Sequence, residues 1–123
     1  MSAFAFKPDN FSPDNPIMLV RGVDANGRQF EVEVNVHNVN PRSTSIIELT
    51  ALDGYLNATG QPSGLARQMG MIQRNASVGT DLFAKFDFLA ALDEIMDAQR
   101  FHGNLSGYLQ NRDLMEFLSN FPR

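Results

Sequence analysis

Residues 17–36 read IMLVRGVDANGRQFEVEVNV, and the strict alternation of Phe30, Val32, Val34 and Val36 with Glu31, Glu33 and Asn35 restricts the possible folds more than any other stretch. A period of two places the first set on one face of a β-strand and the second on the other. The apolar run Ile17 to Val20 supplies a partner strand. Between them, Asn26-Gly27 suits a tight turn whose two central residues take positive φ. An antiparallel hairpin follows, one face packed and the other wet, with His37 continuing the parity of the wet face.

Two strands alone are marginally stable, so the apolar face needs a cover. Residues after 45 supply it. Ile46, Leu49, Leu52 and Leu56, widened by Ile47 and Tyr55, form a helical stripe that ends at Gly60. Ser45 and Glu48 have the spacing of a capping box, with Asn40-Pro41 as a competing start. A second helix is expected over residues 64–74 on Leu65, Met69 and Ile72, with Ser63 available as its cap and a loop at 75–80. The third begins at Asp81 or Asp87 and runs to Arg100. LFAKFDF is assigned to it because Leu82, Phe86 and Leu89 share its spacing, and Gly103 stops it. A short fourth helix, capped by Asn111, carries Leu114, Met115, Phe117 and Leu118.

The first sixteen residues differ in character. Phe4, Phe6 and Phe11 are interleaved with two PDN triplets, which favour turns. The expected organisation is an aromatic arm over residues 1–16 and a single domain over 17–123, a length that suits one core. Strands come first and helices afterwards, which argues against a doubly wound enzyme fold. The fold class expected is α+β: an N-terminal antiparallel hairpin, or three strands if the arm adds one, packed against three or four C-terminal helices.

Composition narrows the chemistry. With 43% hydrophobic and 20% charged residues, the chain has enough apolar material to fold. The absence of cysteine excludes a disulfide framework, a thiolate nucleophile and a cysteine-ligated metal, and leaves the redox compartment open. A formal charge of −4 opposes broad attraction to phosphate backbones, so nucleic acid is not an expected partner. The opening residues lack the pattern of a secretory signal, and no segment has the length and apolarity to span a bilayer. The expectation is a soluble cytoplasmic protein without a membrane partner, with signal-independent export left open.

Reactive constellations are thin. His37 with Glu33, or His102 with Glu94 and Asp97, falls short of a recognisable ligand set, so neither metal nor cofactor is expected. Ser43 or Ser45 with His37 and Asp53 has the residue types of a nucleophilic triad, but the serines already have work as helix caps. Asp93, Glu94 and Asp97 fit a solvated helix face. GVDANG forms a hairpin turn and lacks the strand-to-helix context of a phosphate loop. The N-x-S/T triplets at Asn57, Asn75 and Asn104 lie near helix ends, where capping explains them.

Ten phenylalanines and no tryptophan give rigid apolar anchors. Phe4, Phe6, Phe11, Phe117 and Phe121 are the candidate interaction residues. The function expected is a non-catalytic interaction or assembly module that binds itself, as a homodimer, or another protein. The alternative is a small cofactor-independent hydrolase centred on His37.

Overall fold

The computed structural model describes residues 2–60, 64–74 and 81–121, the side chains at 71, 73 and 74 excepted. Within them lie β1 (Ser2–Phe6), β2 (Ile17–Val23), β3 (Gln29–Asn35), a 3-10 turn (Val36–Asn38), and the helices α1 (Ile46–Ala58), α2 (Leu65–Arg74), α3 (Phe88–Phe101) and α4 (Leu105–Ser119). The sheet is antiparallel in the order β1-β2-β3. The architecture is therefore α+β, a three-stranded sheet from the amino-terminal part packed on four helices that follow it.

Alternation decides which face is covered. Met18 and Val20 of β2 are fully buried, and Phe30, Val32 and Val34 of β3 pack beside them on the same core. Helix α1 lies against this face, on β1 and β2, through Leu49, Leu52 and Leu56. Phe88 and Leu92 of α3, with Leu114 and Leu118 of α4, complete the core. Where α1 meets β1 the approach is close enough to require Gly54.

The β2–β3 connection differs from the two-residue turn expected from Asn26-Gly27. Gly27 alone takes positive φ, at 80°, and its N–H donates to the Asp24 carbonyl at 3.1 Å. Pairing resumes as Asp24 N–H donates to the Arg28 carbonyl, so the loop has three residues and ends in a left-handed glycine. The Asp24 carboxylate also accepts from Asn26 N–H and Arg28 N–H, both at 2.9 Å. That anchoring explains why the longer loop wins.

The capping box at the start of α1 is present in both directions. Glu48 N–H donates to Ser45 Oγ, and Ser45 N–H donates to Glu48 Oε1. Asn40, the competing start, instead makes a local turn by accepting from Arg42 N–H.

Two helix boundaries depart from the periodic pattern. Residues 82–87 are not helical: Phe86 pairs through both backbone groups with Thr44, at 2.8 and 2.9 Å, and Phe88 N–H donates to the Pro41 carbonyl. This tertiary pairing overrides the helical spacing of Leu82, Phe86 and Leu89, and Asp87 caps α3 by accepting from Ala90 N–H. Helix α4 begins at Leu105, capped by Asn104, and Asn111 sits buried in its middle. Gly107 lies in that first turn, and its N–H donates to Asn104 Oδ1 at 3.1 Å. The expected Ser63 cap and the 75–80 loop lie outside the described residues.

Candidate functional site

The outer face of the sheet is built by register. Phe4 lies opposite Arg21, which lies opposite Glu31; Phe6 lies opposite Leu19, which lies opposite Glu33. Adding β1 therefore sets two phenylalanines on the face that β3 alone would make acidic. Phe4 is 62% exposed and Phe6 46%. The Arg21 guanidinium is 5.5 Å from the Phe6 ring centroid and pairs with the Glu31 carboxylate. Phe4, Phe6, Arg21, Val23 and Glu31 border an open groove. A smaller depression of about 190 Å3, between Phe11, Ile17, Leu19 and Glu33, marks the other end of the same face.

The five phenylalanines singled out in the sequence fall into two places. Phe4 and Phe6 share the outer sheet face. Phe11, Phe117 and Phe121 gather around Tyr55 and His37: ring centroids are 6.2 Å apart for Phe11–Tyr55, 6.4 Å for Tyr55–Phe121 and 5.9 Å for Phe117–Phe121. Phe11 and Phe121 are half-buried in this cluster, while Phe117 stays open to solvent. The residues after β1 thus fold back onto the domain, where Phe11 meets Tyr55 of α1.

One exposed patch escaped the sequence reading. Phe101 is 86% exposed at the α3–α4 turn, and Leu105 and Leu109 in the first turns of α4 are exposed as well. The signal was available, since Ala90, Glu94 and Asp97 are among the exposed positions of α3 and Phe101 continues their helical stripe.

His37 does not continue the wet face of β3. The chain leaves the strand at Asn35, whose side chain accepts from His37 N–H at 3.0 Å, and turns so that Val36 is buried. The His37 ring then packs edge-on to Tyr55 and Phe121, at 6.5 and 6.3 Å, and makes no side-chain hydrogen bond among the described residues. Ser45 Oγ is occupied by the capping box, and Asp53 accepts from Asn57 Nδ2 at 3.4 Å. Burial pushes the Asp53 carboxyl above its ordinary value of 3.8. The hydrogen bonds that would join Ser43 or Ser45 to His37 and His37 to Asp53 are not formed among the described residues.

The other candidate ligands are equally dispersed. His102 lies edge-on to Phe101, and Asp97 pairs with Arg100 at 2.9 Å. Among the described residues, no group of three histidine, cysteine or carboxylate side chains is placed to hold a metal. No helix of the described residues is long and apolar enough to cross a membrane. Compared with family models, curated proteins and solved structures, the chain matches none. The molecule is a small α+β domain in which no catalytic motif is found among the described residues.

Proposed function

We propose that this protein is an interaction or assembly module whose contact surface is the outer face of the sheet. Phe4 and Phe6, side by side on a face that no helix covers among the described residues, carry this proposal. Burying a phenylalanine side chain contributes about 1.5–3 kcal/mol, and at these two positions much of that remains unrealised. The inner face already closes the core without them. A pair of aromatic anchors beside an arginine, with Glu31 and Glu33 at the rim, has the make-up of a protein-binding patch. The same carboxylates, on a chain of charge −4, disfavour a nucleic-acid backbone or an anionic membrane as the partner. The partner is a second copy or another protein, met in the cytoplasm.

Cross-linking in the source cell tests the proposal. The full chain with a carboxy-terminal affinity tag is compared with the Phe4→Ser/Phe6→Ser variant, both checked for equal thermal stability. Cross-linked species that disappear in the variant support the sheet face. Equal recovery from both proteins overturns it.

A further inference from the structure

The two edges of the sheet differ in a way that selects one of them for strand pairing. β3 carries Glu31 and Glu33 along its free edge, and like charges set opposite one another on paired strands are destabilising. Charged residues on an edge strand are a common protection against added strands. β1 has none. Its sequence Ser-Ala-Phe-Ala-Phe contains neither charge nor proline, and its packing partners are β2 on one edge and α1 on the inner face. Among the described residues, no strand or helix pairs with its other edge.

The same five residues suit their own copy. Ala3-Phe4-Ala5 reads identically in both directions, so two β1 strands in antiparallel register about Phe4 set Ala3 opposite Ala5 and Phe4 opposite Phe4. We propose that β1 pairs in this register with β1 of a second copy, giving a homodimer with a continuous six-stranded sheet. The outer face of the seam then collects Phe4 and Phe6 from both chains, where aromatic cross-strand pairs are favourable. Only alanine methyl groups meet on the inner face, and Ala3 and Ala5 are both still partly exposed there. The symmetry is the ordinary two-fold, with the same patch used on each side.

This inference rests on the outer face being a contact surface and names its occupant. A contact limited to one five-residue strand pair and its phenylalanines falls at the small end of specific interfaces, below about 1,200 Å2 in total. The dimer is therefore weak and concentration-dependent.

Sedimentation velocity on the full chain, with no amino-terminal tag and from about 1 μM to about 1 mM, tests the pairing. Wild type shifts from monomer to dimer across that range. Phe4→Lys and Phe4→Glu each weaken the dimer at least about tenfold, because position 4 faces itself across the dyad and the aromatic pair is lost. An equimolar mixture of the two variants recovers a dimer, since lysine now faces glutamate. Phe4 is solvent-exposed, so both variants are expected to keep the wild-type circular dichroism and melting temperature. A wild type that stays monomeric, a dimer indifferent to both substitutions, or a mixture that stays monomeric overturns the pairing. If the wild type is monomeric while cross-linking to a different protein still depends on Phe4 and Phe6, the pairing fails and the contact surface stands. If neither dimerisation nor cross-linking responds, both fail.

Discussion

Gly54 of α1 rests on Ala5 of β1: a methyl group added at Gly54 would stand 2.6 Å from the Ala5 Cβ and 3.3 Å from Met18 Cε. No pair of carbon atoms tolerates the first distance, so helix and strand would have to separate. Alanine improves helix propensity by up to about 1 kcal/mol, whereas overpacking costs about 1–3 kcal/mol. Gly54→Ala is expected to destabilise the protein by about 1–2 kcal/mol in urea unfolding. Adding Ala5→Gly recovers part of that loss, and the double-mutant cycle gives a favourable coupling between the two changes.

Removing the Ser45 hydroxyl tests the first turn of α1. Ser45→Ala takes away the acceptor of Glu48 N–H and is expected to lower stability by about 1 kcal/mol. Glu48→Gln should cost less, because glutamine can still close the box and only the pairing with Lys85 is lost. Thermal melts of the two variants measured side by side give the order.

Asn111 is 2% exposed, and its Nδ2 donates to Gln99 Oε1 at 2.9 Å across the α3–α4 contact. Asn111→Ala is expected to cost about 1–3 kcal/mol, since it empties a packed site and strips Gln99 of its donor. Replacing both residues by apolar side chains of similar size, Asn111→Leu with Gln99→Met, should be closer to neutral. Chemical unfolding of the single and double variants separates the hydrogen bond from the packing.

Asp53 gives a pH dependence of definite sign. Its carboxyl holds a proton more tightly in the fold than in the unfolded chain, because burial penalises the charge. The stabilisation due to protonation is complete below the unfolded value and disappears as pH rises through the folded one. Asp53→Asn removes the charged state and is expected to be more stable than wild type at neutral pH. The gap should close as pH falls toward 3.8. Unfolding curves of both proteins at several pH values check this, and a gap that widens on acidification contradicts it.

The strand pattern and the helix stripes were legible because each reports a local period matched to burial. Val32 and Val34 face inward as their alternation requires, and the Ser45–Glu48 spacing forms the box it implies. Two of the failures have their cause in distant partners. Phe86 fits a helical stripe but is bound through its backbone to Thr44, and Asn111 has a capping side chain that is spent on Gln99 instead. His37 kept the parity of β3 on paper, yet the Asn35 side chain turns the chain before parity can act. The outer sheet face depended on β1, whose register against β2 brings Phe4 beside Arg21. Nothing within residues 2–6 alone specifies that neighbour.

The ring contacts from Phe11 through Tyr55 to Phe121 bring two positions 110 residues apart in sequence onto one side chain. Tyr55 thereby stands where segments from both parts of the sequence meet. With no tryptophan in the chain and Tyr108 as the other tyrosine, the emission of its phenol serves as a built-in reporter of whether both segments are docked.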